Sequence, residues 1–136
     1  MKILNIKTKN RLTGDIGEKY AIGRLKKSGY KILEKNYVAD NNEIDIICEN
    51  KDTLAFVEVK TRTLINGKAP EVRPAAAVTK EKRRAIIKTA AIYLSDRFCE
   101  KMKRFDIIEV LVDKNGKVTD YCHIENAFNL NSSYGG

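Results

Sequence analysis

The chain has one histidine, no tryptophan, three cysteines and two prolines, and each scarcity removes a class of answer. With His123 alone, a His-rich metal site or a Ser-His-Asp arrangement has little to draw on. Cys48, Cys99 and Cys122 are odd in number and lack metal-finger spacing, so they suit a reducing compartment and suggest no zinc site. They read as core or surface fillers. No window approaches the ~20 apolar residues of a membrane helix, and the start lacks a signal peptide's apolar stretch. The expectation is a cytoplasmic protein without a membrane partner, whose chemistry uses carboxylates and lysines.

At 136 residues there is room for one core. Hydrophobic residues at 43% and charged residues at 32% are ordinary globular values, against global disorder, a collagenous repeat or a coiled coil. The 26 Lys+Arg outweigh 18 Asp+Glu, leaving +8. That excess attracts phosphate-rich polymers and makes nucleic acid the leading partner. A basic balance serving only solubility is the competing account.

Residues 1–12 carry Lys2, Lys7, Lys9 and Arg11 with little periodicity and read as a basic arm. Thr13 is a plausible cap for a helix over 14–28, where Ile16, Tyr20, Ala21 and Leu25 form a stripe and Gly29 is the stop. Strand-like runs follow at 30–37, 43–49 and 54–61. Residues 63–77, with Asn66-Gly67, Pro70 and Pro74, predict a long mobile loop of the kind that covers functional sites. A helix over 79–97 and a hairpin of 105–112 and 118–124 around Asn115-Gly116 complete the domain, 13–125, with a flexible tail from 126. The order α-β-β-β-α-β-β packs as a mixed sheet flanked by helices.

Alternation puts Glu43, Asp45 and Ile47 on one face of the second strand and Ile44, Ile46 and Cys48 on the other. On the third strand Leu54, Phe56, Glu58 and Lys60 share a face opposite Ala55, Val57 and Val59. Both faces look buried, and an unpaired charge there costs several kcal/mol. If the strands pair as a hairpin, Asp45 and Glu58 come close, and two carboxylates so placed suit a divalent cation. Asp45, Glu58 and the Val59 carbonyl fit part of an octahedral Mg²⁺ (or Mn²⁺) shell, with Lys60 beside the water such a metal activates. An equally simple account is a Glu58–Lys60 ion pair with Asp45 as a turn-side cap. The second helix opens with Lys80, Lys82, Arg83 and Arg84 at the end whose dipole already favours anions, an arrangement that a bound phosphate relieves. A solvated basic face explains it too.

Asp45 followed by Glu58-Val59-Lys60 resembles the PD-(D/E)XK signature of restriction-endonuclease-like nucleases and Holliday junction resolvases. A wider string is more specific: Gly14-Asp15-Ile16-Gly17-Glu18, Asn36, Glu43-Ile44-Asp45, Phe56 to Arg62, Val78-Thr79 with Lys82 and Arg83, Tyr93-Leu94 and Arg104-Phe105-Asp106. Together these resemble the YraN-like family, related to the resolvases, over about 14–112. The resemblance implies a three-layer restriction-endonuclease-like α/β fold, metal ligands at Asp45 and Glu58, Lys60 as catalytic lysine and Glu18 as a further acidic member. Ile44-Asp45 replaces the signature's Pro-Asp, and Asn42 stands where the family usually has glycine. Glu18 lies at the edge of the first helix's apolar stripe, facing the sheet or else serving the helix dipole. Arg62 is placed to touch a phosphate beside the site and Asp106 to hold a basic neighbour, though ordinary salt bridges account for either.

Two functions compete. One is a metal-dependent DNA endonuclease acting at branched structures, for which a two-fold dimer is attractive because two strands must be cut symmetrically. The other is a nucleic-acid-binding module that keeps the fold and cuts nothing.

Overall fold

The computed structural model describes residues 6–71 and 78–129. Helix α1 (Ile6–Lys27) leads into β1 (Lys31–Ala39), β2 (Asn42–Glu49) and β3 (Thr53–Thr63), and after α2 (Lys80–Leu94) come β4 (Met102–Val112) and β5 (Val118–Phe128). The strands lie in chain order β1-β2-β3-β4-β5. Only β3 and β4 run parallel. A parallel pair needs a crossover, and α2 provides it.

Burial divides the core into two layers about the sheet. Ala21 and Leu25 of α1 pack with Ile46, Cys48, Val57 and Val110 on one face. Ile86, Ala90 and Tyr93 of α2 pack with Ile44, Ile47, Phe56 and Ile107 on the other. The fold is the expected mixed-sheet α/β architecture. Strand β3 is buried on both faces from Thr53 to Val59 and emerges from Lys60 onward, so its buried carboxylate stands at the edge of the core.

Several boundaries differ from the sequence expectation. Residues 6–12 are not an arm but the opening turns of α1, and Thr13 lies inside the helix. Lys, Arg and Leu sustain a helix without an apolar stripe to announce it. Thr79 does cap α2, its hydroxyl accepting from the Lys82 N–H at 3.1 Å, but that helix stops at Leu94. In the loop expected over 63–77, Ile65 and Lys68 bridge around Asn66 (φ 53°) and Gly67 (φ 74°), the left-handed pair of a tight hairpin turn; residues 72–77 lie outside the described residues. The tail is shorter than expected because β5 continues to Phe128, which is 3% exposed and stacks on Phe105 with centroids 5.2 Å apart. Residues 130–136 lie outside the described residues.

Two left-handed asparagines interrupt the strands themselves. At Asn126 (φ 53°) in β5, the backbone N–H donates to Asp106 Oδ1 at 3.0 Å. Asp106 is fully buried and also receives Arg104 through two 2.9 Å bonds and His123 Nε2 at 2.8 Å. Burial opposes its ionisation, but these bonds outweigh burial and hold the carboxyl below its usual range. The only histidine is thus tied into the fold. At Asn36 (φ 52°) in β1, the pairing passes from Lys35↔Ile46 to Tyr37↔Ile44. There the face alternation of β2 slips, so Ile44 joins Ile47 in the α2 layer while Ile46 faces α1. The strict alternation read from the sequence fails at this step, which is where Asp45 sits.

Among the described residues, no helix is long and apolar enough to cross a membrane.

Candidate metal centre

The ladder between β2 and β3 runs from Glu49↔Leu54 to Ile46↔Val57. One step further the Val59 N–H donates to Asp45 Oδ2 at 2.8 Å. A side chain there takes the place of a strand-to-strand bond, which fixes the Asp45 carboxylate in the opening between the strands. Glu58, 7% exposed, stands near enough to Asp45 for the two carboxyls to perturb each other, and both line the same cavity. The cation of Glu58 is Lys82 of α2, with Nζ at 3.6 Å. The alternative Glu58–Lys60 ion pair does not form: Lys60 emerges half-buried beyond Glu58 and has no hydrogen bond or ion pair among the described residues.

Helix α1 supplies the other wall. It crosses β3 so closely that a Cβ on Gly17 would fall 1.7 Å from Thr61 Oγ1. Hydrogen alone fits, and the close crossing brings the next residue, Glu18, over the opening. Ligand oxygens of Glu18, Glu43 and Asp45 all lie within 4.8 Å of one another. With its amide oriented to satisfy its hydrogen bonds, Asn36 Nδ2 donates to Glu43 Oε1 (2.7 Å) and Glu18 Oε1 (3.0 Å). Glu18, Asp45, Glu58 and Val59 line one cavity of about 410 Å³, together with Thr13, Thr61 and Thr63.

Crowded carboxylates resist ionising together. Burial, followed by the Asp45 charge, pushes the Glu18 carboxyl up to about 7, against the opposing hydrogen bond from Asn36. For Asp45, burial and then the shared hydrogen bond and charge of Glu58 raise the carboxyl well above the aspartate range, with the Val59 N–H and Lys82 pulling the other way. A hard divalent cation suits this donor set. In an octahedral shell with bonds of ~2.1 Å, opposite oxygens stand about 4.2 Å apart, close to the spread of the three acids.

The expected site residues fall into three groups. Asp45, Glu58, Val59 and Glu18 come together. Lys60 stays outside the cavity lining. Of the residues expected on nucleic acid, Lys80 and Arg84 are exposed on the first turns of α2, Lys82 faces Glu58, and Arg83 Nε donates to the Val78 carbonyl at 3.1 Å. Arg62 forms an ion pair with Glu109 at 2.9 Å, both 13% exposed, the ordinary salt bridge that competed with phosphate contact. Sequence reasoning missed Glu43 as a member of the cluster, although its shared face with Asp45 was the available signal. It also missed the bridging role of Asn36.

Comparison with known proteins gives the chain's family. The family described as "Uncharacterised protein family UPF0102" matches residues 17–110. The chain belongs to this family. It is 43% identical over 130 residues to a UPF0102 protein of Caldanaerobacter subterraneus subsp. tengcongensis, covering 94% of this chain and 100% of the relative. A UPF0102 protein of Dictyoglomus thermophilum is 39% identical over 120 residues (88% and 98%), and one of Clostridium acetobutylicum 40% over 122 (89% and 97%). UPF0102 is thus the YraN-like group that the motifs resemble, and its matched span holds Glu18, Asn36, Glu43, Asp45, Glu58 and Lys60.

Proposed function

We propose that this UPF0102 protein is a Mg²⁺- or Mn²⁺-dependent endonuclease that hydrolyses phosphodiester bonds in DNA, with branched DNA as its preferred substrate. The observation that carries this reading is the convergence of Glu18, Asp45 and Glu58 on one cavity, with Lys82 of α2 paired to Glu58. A pure nucleic-acid binder gains nothing from carboxylates so near the phosphates it must attract. When bound, a divalent cation would supply Lewis-acid activation of water and neutralise charge developing on the phosphate.

The protein's own groups do the rest. Asp45 is immobilised by the Val59 N–H, Glu58 is oriented by Lys82, and Glu18 is delivered by the close crossing at Gly17. The Lys60 ammonium, which has no ion pair among the described residues, orients the attacking water or meets the developing charge. Exposed Lys80 and Arg84 hold the phosphate backbone at the N-terminal end of α2.

The test is incubation with linear, flapped and four-way DNA, with Mg²⁺ or Mn²⁺, beside an Asp45→Ala control. Metal-dependent cutting that Asp45→Ala abolishes is the expected result. Salt-sensitive DNA binding in EDTA, with no cutting under either metal, would replace the nuclease by a binding module.

A further inference from the structure

Asn36 is odd in its backbone and in its contacts. Among the described non-glycine residues with positive φ, Asp40 and Asn41 form the turn between β1 and β2, and Asn66 sits in the turn at 65–68. Asn36 and Asn126 instead lie inside strands. Asn126 answers to a visible structural partner, since its N–H serves the buried Asp106. Asn36 is exposed, and the partners of its side chain are two carboxylates of the acidic cluster. Its place in the ladder, between Lys35↔Ile46 and Tyr37↔Ile44, is opposite Asp45.

Left-handed backbone is sparsely populated, though asparagine tolerates it better than most residues. Such an outlier persists where its surroundings hold it, and these outliers cluster at functional sites. The turn of the chain at Asn36 aims one amide nitrogen at both Glu18 Oε1 and Glu43 Oε1. Glu18 comes from a helix and Glu43 from a strand, so no regular element fixes their separation. An uncharged double donor can hold two like-charged groups side by side without adding a cation that would compete with a metal.

We infer that Asn36 is a positioning residue for the metal centre: it keeps Glu18 and Glu43 turned toward Asp45 before a divalent cation arrives. This rests on reading the acidic cluster as a metal site. Without the amide, the two glutamates repel and rotate toward solvent, and the cation must gather them at binding. Partners of ligating side chains typically change metal affinity 10–100-fold.

The experiment is Mn²⁺ titration by calorimetry at pH 8, on the full chain. Asn36→Gly accepts the left-handed backbone and removes only the amide, so its metal-free melt should stay near the parent's while Mn²⁺ affinity falls about 10-fold or more. Asn36→Ser, whose one short hydroxyl cannot span two carboxylates, serves if the glycine variant fails to fold. In a Glu18→Gln, Glu43→Gln background the same substitution should change affinity little, since its effect travels through those two acids. Parental affinity in the Asn36 variants, or an equal loss in both backgrounds, overturns the inference and leaves the metal site standing. A parent that binds no Mn²⁺ removes both.

Discussion

Lys60 separates a catalytic from a structural account at the level of one side chain. Had it been the counter-ion of Glu58, removing it would strand a buried carboxylate, at about 3–5 kcal/mol. Glu58 instead has Lys82 at 3.6 Å, and Lys60 contributes no ion pair among the described residues. Lys60→Ala should therefore change stability by no more than about 0.5 kcal/mol, as for an ordinary surface substitution. Cleavage should fall by roughly 10²–10⁴-fold, the usual worth of a positioned proton-transfer group. A thermal melt and a single-turnover assay read the two effects separately; a melt far below the parent's would return Lys60 to a structural role. The sequence was informative on Asp45 and Glu58 through their motif and the expected pairing of the two strands, and on Glu18 through the family resemblance and its place at the edge of a helix stripe. It was silent on the pairing of Glu58, since Lys82 is distant along the chain and only the docking of α2 brings the two together.

Helix α1 shows at the scale of an element how two glycines in one helix have opposite meanings. In a helix interior glycine is less favourable than alanine by about 0.8–1.0 kcal/mol, so Gly→Ala stabilises wherever there is room. At Gly23 a Cβ meets nothing within 4 Å, and Gly23→Ala should raise stability by about 0.5–1 kcal/mol in urea denaturation. At Gly17 the same atom would fall 1.7 Å from Thr61 Oγ1 and 2.9 Å from Thr61 Cβ, and the crossing must open. Gly17→Ala should then cost about 1–3 kcal/mol, the usual range for overpacking, and cleavage with it, because Glu18 rides on the displaced turn. Adding Thr61→Ala removes the hydroxyl clash but not the Cβ contact, so rescue should be partial. Equal and stabilising effects at both glycines would show that the crossing is loose. Elements of this kind were legible as elements, and their ends and faces were not. The start of α1 carries no apolar stripe to mark it, and the change of face in β2 lies opposite the left-handed Asn36 of the neighbouring strand, a tertiary event that alternation along one strand does not register.

Across the whole molecule, the acidic centre and the Asp106 network pull the pH dependence of stability in opposite directions. The Glu18 carboxyl moves from an ordinary 4.5 to about 7 in the folded state, and the Asp45 carboxyl moves upward as well. Between those values the unfolded chain has released a proton that the folded chain still binds. Stability from this source is therefore complete below about 4.5 and is lost as pH rises through about 7. Asp106 is lowered below its ordinary 3.8, so its contribution is present above that value and lost as pH falls through the folded value. The metal-free protein should melt highest in mildly acidic solution and lose a few degrees between pH 5 and pH 8. Because a net charge of +8 gives a background slope of its own, the signal is the difference between the parent and Glu18→Gln, whose curve should be flatter across this range. Mg²⁺ favours the ionised carboxylates, so it should raise the melt at pH 8 and leave it nearly unchanged at pH 5, where protons occupy the same oxygens. Differential scanning fluorimetry across pH, with EDTA or with Mg²⁺, gives all four curves. A parent and Glu18→Gln that run parallel with and without metal would mean that Glu18 neither holds the proton nor meets the cation, and the centre would contract to Asp45 and Glu58 on the α2 side.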